Sequence, residues 1–322
     1  MSERTISFVF IGCGQATRIH SRLLARLDPN VRRSYASRDG TKAEAFRREF
    51  GGERAYGSYA DAIAGEHDVV LIATPPSSHL ELATRALAAG RHVIVEKPAF
   101  PRAADVDEAL RIAAGTGRQL MVAENYWYRP LLVRLRELIP SGVVGEVRFV
   151  HVNALKTQRT GGWRDEAAFA AGGALFEGGV HWVNFMANLG LTVRAVHGFR
   201  PGPAGGLDRS MLLVFEYASG TVGTLSYSWE IRSPLRGLRL SRVYGTEGSL
   251  SFESNGLFLA VDGKRKSAGL PGLRDLTGRK AMMRDFLQVL RAGGEPRFTA
   301  MMARRDLELM EQAGATLQEA GA

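Results

Sequence analysis

Cysteine, lysine and long apolar segments are all scarce in this 322-residue chain. Its single cysteine, Cys13, excludes an internal disulfide framework and a cysteine-rich metal site. No run approaches the ~18 apolar residues that a membrane-spanning helix needs. The opening MSERTISFVFIGCG predicts a strand within about five residues, which leaves no room for a signal peptide. We therefore expect a cytoplasmic protein with no membrane partner.

The chain has a formal net charge of +9, from 42 basic and 33 acidic residues. Residues 1–120 hold 17 basic and 14 acidic residues, and the remainder holds 25 and 19. The excess is spread along the chain and forms no dense basic tract of the kind that binds nucleic acid. We expect no nucleic-acid partner, whereas a diffuse positive field favours phosphorylated small molecules.

Strand and helix patterns alternate over residues 1–123. Apolar runs such as TISFVFIG and DVVLIAT are typical of strands covered on both faces. Between them, ATRIHSRLLARL places four apolar residues on one predicted helical face: Ile19, Leu23, Leu24 and Leu27. The alternation predicts right-handed crossovers and a parallel, doubly wound sheet, so we expect an α/β domain over 1–123.

From residue 124 onward the pattern changes, and a chain of this length favours two domains. A longer strand is predicted at GEVRFVHVNAL. Five more strands follow with few helices between them, near 191–199, 209–217, 221–230, 238–244 and 248–260. Short turns such as ASGT and GTEGS are typical of antiparallel hairpins, while RPGPAGGLD and DGKRKSAGLPGL have the composition of surface loops. Two final helices are predicted near 280–291 and 300–319. The second domain is therefore placed at 124–322, with its last helices free to pack back on the first.

The segment FIGCGQATRIH predicts a strand, a glycine turn and a helix. In a dinucleotide-binding loop, the first glycine permits a tight turn and the second lets the backbone approach the pyrophosphate at the helix N-terminus. Gly12 and Gly14 occupy these positions, so we expect them, with Gln15 and Ala16, to bind the cofactor. Thr17 stands where Gly or Ala is usual, and the alternative is a purely structural turn.

The end of the second predicted strand indicates which dinucleotide binds. An acid there accepts a hydrogen bond from the 2′-hydroxyl of NAD, whereas a small hydroxyl beside an arginine suits the 2′-phosphate of NADP. The sequence offers Ser37-Arg38-Asp39. Ser37 and Arg38 favour NADP, and Asp39 leaves NAD open.

Lysine is the rare cation here, with 36 arginines against 6 lysines. Lys97 follows the buried-strand pattern of RHVIVEKPAF, at the point where the strand ends. Arginine stays protonated at ordinary pH, while a partly desolvated lysine exchanges its proton. Lys97 is therefore a candidate for proton chemistry, with a solvated strand end as the alternative.

Three motifs in order, GCGQATRIH, ATPPSSHLELATRALAAGRHVIVEKP and AGGALFEGGVHWVNF, resemble the Gfo/Idh/MocA oxidoreductases, named for glucose–fructose oxidoreductase and inositol dehydrogenase. The resemblance covers nearly the whole chain, and Glu96-Lys97-Pro98 is its most specific element. It implies a Rossmann domain followed by an α/β domain whose large, open, mostly antiparallel sheet forms homodimers or homotetramers. It also implies hydride transfer between NAD(P) and a sugar, polyol or related cyclic alcohol or ketone.

The resemblance assigns catalytic roles to three residues. It implies that Lys97 hydrogen-bonds the reacting oxygen beside the nicotinamide, that His181 is the acid and base, and that Glu177 orients the imidazole. The chemistry needs such a group, because hydride leaves a carbon only as its hydroxyl loses a proton, and histidine titrates near neutrality. Glu177 stands where the family has Asp, and Asn184 stands where it often has Asp. The longer Glu177 side chain either reaches the imidazole or points into the pocket, and a packing role for His181 is the alternative.

Other site residues also follow from the resemblance. Cofactor contacts are implied for Thr74, Pro75, His79 and Glu96, and for Lys97 itself. Substrate contacts are implied for Lys97 and His181 and for three more residues: Asn125, Trp163 and Arg164. For His79 the alternative is a helix N-terminal role, and for TQRTGGWRDE it is a surface loop. No His, Asp or Glu cluster has metal-ligand spacing, so we expect no metal.

We therefore predict an NAD(P)-dependent dehydrogenase or reductase that acts on CH–OH groups of a small molecule. Two alternatives stay open. Some relatives use a bound NAD for transient oxidation and cleave glycosidic bonds, and others bind the dinucleotide as non-catalytic sensors.

Overall fold

The computed structural model describes residues 4–158, 173–202, 208–233 and 237–319. The chain divides into two compact units. The first consists of Met1–Glu124 with Met282–Arg304, and the second of Asn125–Ala281 with Arg305–Ala322. Each unit contains one of the two sheets.

The first unit is built on a six-stranded parallel sheet in the order β3-β2-β1-β4-β5-β6. Its strands are β1 Ile6–Ile11, β2 Val31–Ala36, β3 Ala55–Tyr56, β4 Val69–Ile72, β5 His92–Val95 and β6 Leu120–Val122. Every residue of β1 and β4 is buried, as in strands covered on both faces. The helices between them are α1 Gln15–Leu27, α2 Gly40–Phe50, α3 Tyr59–Ala64, α4 His79–Ala88 and α5 Ala103–Thr116. The predicted doubly wound fold is confirmed.

The second unit is built on an eight-stranded sheet in the order β14-β13-β12-β11-β7-β10-β9-β8. Within this sheet, the β7–β10 pair is the only parallel pair among the described strands. The strands are β7 Val147–Leu155, β8 Val193–Phe199, β9 Ser210–Tyr217, β10 Val222–Ser228, β11 Leu240–Gly245, β12 Gly248–Glu253, β13 Leu259–Asp262 and β14 Lys266–Gly269. The predicted mostly antiparallel sheet is confirmed.

The remaining helices are α6 Pro130–Leu138, α7 Val180–Ala187, α8 Arg279–Ala292 and α9 Ala300–Glu319. A π-helical turn, Leu175–Gly179, leads directly into α7. The two C-terminal helices lie within two residues of their predicted bounds. Nowhere in the described part of the chain is there a helix with the length and hydropathy needed to cross a membrane.

Three details of the fold differ from the sequence predictions. The single strand predicted at 248–260 is two strands, β12 and β13, because the chain turns between them and pairs back on itself. The segment predicted as a loop contains β14, an exposed and polar edge strand with no apolar alternation to reveal it. In α1 the buried residues are Thr17, His20, Ser21 and Leu24, so the buried face is rotated from the predicted apolar face.

Candidate active site

The predicted cofactor segments leave the parallel sheet at one edge. Ile11 pairs with both Ala36 and Ile72, and Ile72 pairs with Val95. The loops that follow these four residues therefore begin side by side, at Gly12, Ser37, Ala73 and Glu96. The strand order reverses between β1 and β4, and ligands of open parallel sheets bind outside the carboxyl ends of the strands at such a point.

The glycine loop between β1 and α1 is shaped for close approach. Gly12 has φ +99°, and a Cβ there would lie 2.8 Å from the carbonyl oxygen of Ala73, so only glycine fits the turn. A Cβ on Gly14 would meet nothing within 4 Å, which leaves open the space that a pyrophosphate needs. Thr17 is accommodated because it is buried and its hydroxyl donates to Gly12 O at 2.6 Å.

The start of α1 has the electrostatics that an anionic ligand requires. No side chain caps the helix, and its first turn contains no acidic residue, so the positive end of the helix dipole is not neutralised there. Burial raises the pKa of the Cys13 thiol to about 11, against the opposing charges of Lys42 and Arg18. The thiol is neutral at ordinary pH, and the loop has two cations in its field. These residues fit a dinucleotide.

The three residues after β2 have different environments. Asp39 Oδ1 caps α2 by accepting from Thr41 N at 3.0 Å and Thr41 Oγ1 at 2.6 Å, and these bonds, the side-chain one first, lower the pKa of Asp39. Ser37 is buried, and its hydroxyl accepts from Asp39 N at 3.2 Å. Arg38 is exposed. Burial raises the pKa of the neighbouring Tyr59, and the Arg38 charge opposes that shift.

The segment after β4 is held by Ser78 and His79. Ser78 Oγ donates to Thr74 Oγ1 at 2.7 Å and lies 2.9 Å from Pro75 O. His79 is fully buried at the start of α4, with Nε2 2.9 Å from Thr74 O. Burial lowers the pKa of His79, although its backbone hydrogen bonds and the Glu96 charge oppose that shift.

Glu96 and Lys97 follow β5 at the same edge. Glu96 Oε1 lies 2.6 Å from Nε2 of the buried His20 on α1, and Glu96 Oε2 accepts from Lys97 N at 3.1 Å. Burial alone would raise the pKa of Glu96. The hydrogen bond and charge of His20, with the charge and backbone N–H of Lys97, outweigh burial and lower that pKa to about 2. The carboxylate is therefore ionised throughout the physiological range.

In the second unit, His181 on α7 lies at one side of an aromatic cluster centred on Tyr126. The ring of Tyr126 stacks on the imidazole, with centroids 4.4 Å apart and planes within 8°. Tyr126 also meets Trp182 edge to face at 5.3 Å, and the guanidinium of Arg129 lies 4.4 Å from its ring centroid. Arg129 is fixed in turn by the carbonyl of Asn255 at 2.5 Å. Stacking on Tyr126 therefore fixes the orientation of the imidazole plane.

Glu177 lies in the π-helical turn before α7 and is buried. A Cβ on Gly178 would lie 2.1 Å from Tyr227 Oη, which itself accepts a hydrogen bond from Trp229 Nε1 at 2.7 Å. Burial raises the pKa of Tyr227, and the Glu177 charge raises it further despite the bond from Trp229. The absence of a side chain at Gly178 thus lets the phenol approach the turn that carries Glu177.

The other predicted residues have varied positions. Asn125 is buried, and its amide donates to Thr277 O at 2.7 Å. Asn184 is buried on α7, and its amide donates to Asp306 Oδ2 at 2.6 Å. Trp163 and Arg164 lie outside the described residues. The catalytic candidates are divided, with Lys97 in the first unit and Glu177 and His181 in the second.

The residues of these clusters that were not predicted from the sequence include His20, Tyr126, Tyr227 and Trp229. Tyr126 adjoins Asn125 in AENYWYRP, so that motif did carry a signal. Over 4–158, 173–202, 208–233 and 237–319, no three His, Cys, Asp or Glu side chains are grouped to hold a metal ion.

An open parallel sheet with a glycine loop at its switch point is typical of a dinucleotide-binding protein, and the second unit supplies a histidine, His181, of the type that most often serves as a general acid and base. Residues 6–124 match the family model described as oxidoreductase family, NAD-binding Rossmann fold, and residues 132–251 match the GFO/IDH/MocA C-terminal domain. The chain belongs to the GFO/IDH/MocA family of NAD(P)-dependent oxidoreductases. The predicted family is confirmed.

Curated relatives and solved structures agree with this membership. The chain is 29% identical to mouse trans-1,2-dihydrobenzene-1,2-diol dehydrogenase, over 74% of this chain and 72% of the relative. It is 31% identical to dTDP-3,4-didehydro-2,6-dideoxy-alpha-D-glucose 3-reductase of Streptomyces violaceoruber, over 68% of this chain but only 64% of that enzyme, slightly under two thirds of its length. The WlbA dehydrogenase of Bordetella pertussis, crystallised with NADH and UDP-GlcNAcA, has a TM-score of 0.84 at 20% identity, with 99% and 97% of the two chains covered. At that identity the structure supports the fold alone.

Proposed function

We propose that this protein is a dehydrogenase or reductase that transfers hydride between a nicotinamide and a ring carbon bearing a hydroxyl group, in a sugar, polyol or cyclic diol. One observation carries the proposal. Glu96 holds the backbone of Lys97 at the sheet edge where the glycine loop begins, so the rare cation of this chain lies beside the cofactor segments. The names of the diol dehydrogenase and the sugar reductase support the substrate class.

The residues divide the proton chemistry. His181 removes the hydroxyl proton during oxidation and returns it during reduction, and its ring is kept in one plane by Tyr126. The buried carboxylate of Glu177 favours the charged imidazole and orients it. Lys97 donates a hydrogen bond to the reacting oxygen, where negative charge develops. The nicotinamide, when bound, supplies the hydride chemistry.

We propose that NADP is the preferred cofactor. Arg38 is exposed after β2, where a 2′-phosphate would lie. The nearby acid, Asp39, uses Oδ1 to cap α2, which competes with a role in holding the 2′-hydroxyl of NAD. The positive charge of Lys42 and Arg18 beside the loop favours the more anionic cofactor.

We also propose that the second unit's sheet associates with a second copy of the chain. Its outer face carries Phe149 on β7, which pairs with Val222 on β10 and Tyr244 on β11. Phe149 is 51% exposed, and Leu240 on the same face is 54% exposed. Apolar surface of this kind favours association, so Phe149→Glu is expected to lower the mass measured by light scattering.

The test begins with binding and turnover. NADH and NADPH are titrated by fluorescence. Oxidation of polyols, aldoses and trans-1,2-dihydrobenzene-1,2-diol is then followed at the nicotinamide absorbance band. Lys97→Ala and His181→Ala should each lower kcat about 10²- to 10⁴-fold while nucleotide Kd stays within about twofold. Lys264→Ala, which changes an exposed lysine paired only at the surface with Glu247, is the matched control.

Three outcomes would contradict the proposal. Unchanged turnover in Lys97→Ala would show that Lys97 has no catalytic role. Nicotinamide retained through purification, with glycoside cleavage and no net reduction, would instead indicate the glycoside-cleaving chemistry. Binding of the nucleotide without turnover of any compound would favour the alternative of a non-catalytic sensor.

A further inference from the structure

Two buried histidines hold the segment 96–99 from opposite ends, and we refer to this stretch as the lysine segment. His20, from α1, lies 2.6 Å from the Glu96 carboxylate. His79, from α4, has Nδ1 3.0 Å from both Pro98 O and Ala99 O. The two imidazoles are 2% and 0% exposed, so neither reaches solvent to act on a substrate directly.

The chemistry of the His20 contact fixes its direction. An ionised carboxylate only accepts hydrogen bonds, so Nε2 of His20 carries the proton and donates it to Glu96. The other ring nitrogen, Nδ1, is buried without a hydrogen-bond partner among the described residues. A buried unpaired nitrogen is unfavourable, and an apolar ring would avoid it. The bond to Glu96 is therefore the reason for an imidazole at this position.

Both contacts connect the lysine segment to the cofactor loops. α1 begins at the glycine loop, and His20 lies in its second turn, so Glu96 links that helix to the backbone N–H of Lys97. His79 lies between two segments, because its Nε2 is 2.9 Å from Thr74 O in the loop after β4 while Nδ1 faces the lysine segment; the neutral ring donates its one N–H to one of them and packs against the other. The residues on both sides of Lys97 are thus tied to the two loops that flank the switch point.

We propose that His20 and His79 are positioning residues that fix the backbone around Lys97 and so aim its ammonium at the reacting oxygen. This inference rests on the proposed function. Because both imidazoles are buried, each acts through the lysine segment. A small displacement of such a group is costly, since a misplacement of about 1 Å lowers turnover by as much as about 100-fold.

The first experiment compares His20→Phe, His20→Gln and His92→Gln. Phenylalanine fills the volume of the ring without a donor, whereas the glutamine amide reaches Glu96 with an N–H. His92 lies at the other end of β5 and serves as the control. We expect kcat to fall about 10- to 100-fold in His20→Phe and to recover in His20→Gln. Nucleotide Kd should stay within about twofold in all three, which also shows that they fold.

The second readout is the pH dependence of kcat. The charged and titratable groups facing Glu96 are His20 on α1, His79 on α4 and Lys97 on its own segment. Without the His20 hydrogen bond, burial dominates and the pKa of Glu96 rises. Because the ionised carboxylate is the form that holds Lys97 N, the acid limb of the kcat profile should move to higher pH in His20→Phe and not in His92→Gln.

A third measurement does not depend on turnover. The chain has six lysines, so ¹³C-dimethylated protein should give few signals, with that of Lys97 assigned by its loss in Lys97→Arg. His20→Phe and His79→Phe should shift the Lys97 signal and leave that of Lys264 unchanged. An unmoved Lys97 signal in both variants, or unchanged kcat and acid limb, would overturn the inference. A wild-type protein with no turnover would contradict the proposed function alone, and the Lys97 signal would still decide this inference.

Discussion

The two units hold their candidate site residues by different physical means. In the first unit the backbone positions the site residues, because strand ends, a glycine turn and a helix N-terminus bring Gly12, Gly14 and Lys97 to one sheet edge. In the second unit aromatic side chains position the site residues. Tyr126 packs against His181, and Tyr227 packs against Gly178 of the π-helical turn. The first arrangement leaves open space at Gly14 for a ligand, whereas the second holds its candidate groups against packed side chains.

This difference has an energetic consequence. A side chain added beside the glycine loop at Gly14 meets no protein atom, so it should affect ligand binding and leave folding alone. A side chain added at Gly178 meets a buried phenol, so it should affect folding first. Substitution at Gly14 should therefore separate function from stability, whereas substitution at Gly178 should not.

The largest effect on the free energy of unfolding is expected for Gly178→Ala. The new methyl group would lie 2.1 Å from Tyr227 Oη, and Tyr227 is 1% exposed, so the ring has no room to move. Overpacking of this kind costs up to about 3 kcal/mol, and urea unfolding should show a loss of about that size. Gly269→Ala, on the exposed edge strand with no atom within 4 Å, is the matched control and should change little.

The assigned cause can be checked by removing the atom that clashes. In Gly178→Ala with Tyr227→Phe, the nearest ring atom would be Cζ at 3.3 Å, so part of the lost stability should return. If the double variant is no more stable than the sum of the single changes predicts, the clash is not the cause.

Gly14→Val should have the next largest effect, and it should weaken nucleotide binding and leave the stability of the fold unchanged. Gly14 has φ −117° and ψ −165°, which valine adopts without strain, and nothing lies within 4 Å of its Cβ position. The isopropyl group would fill the space that the pyrophosphate needs, so nucleotide Kd should rise about 30-fold, or about 2 kcal/mol. The free energy of unfolding without nucleotide should stay within about 0.5 kcal/mol of the wild-type value.

Gly12→Ala provides the contrast within the same loop. Its φ of +99° and its 2.8 Å approach to Ala73 O mean that both stability and binding should suffer. Equal losses of stability in Gly14→Val and Gly12→Ala would show that the glycine loop is not the open backbone site described here.

The same contrast explains what the sequence could predict. The glycine loop and Glu96-Lys97-Pro98 are recognisable because strand, turn and charge are contiguous in the chain. Tyr227 lies fifty residues beyond Glu177, and only the pairing of β10 within the sheet brings it to the turn, so no spacing in the sequence predicted that contact.

His20 was not predicted for a related reason. Periodicity placed the apolar side chains of α1 on the predicted buried face, but only Leu24 of that set is buried. The helix instead turns a polar face inward, because Thr17 bonds to the glycine loop and His20 bonds to Glu96. A buried polar contact of this kind overrides the apolar pattern on which the prediction depended.

Arg38→Ala tests which nucleotide the first unit prefers, and its expected effect on nucleotide Kd is smaller than that of Gly14→Val. Loss of the guanidinium should raise the Kd of NADPH about tenfold, or about 1.4 kcal/mol, and change that of NADH by less than about twofold, since only NADPH carries the 2′-phosphate. Arg32→Ala, which changes an exposed arginine on the same strand, is the control. Binding of NADH alone, or equal losses for both nucleotides, would contradict the roles proposed for Ser37 and Arg38.

The smallest effect is expected for Tyr126→Leu, which tests whether packing also positions the second unit's imidazole. Leucine keeps an apolar side chain but removes the ring that stacks on His181 at 4.4 Å. Such stacks contribute about 0.5–1.5 kcal/mol, so kcat should fall by a factor of about three to ten, with nucleotide Kd unchanged. Tyr126→Phe keeps the stack and should retain most of the activity. If leucine and phenylalanine behave alike, the ring does not orient His181, and the second unit's site depends on backbone geometry as the first unit's does.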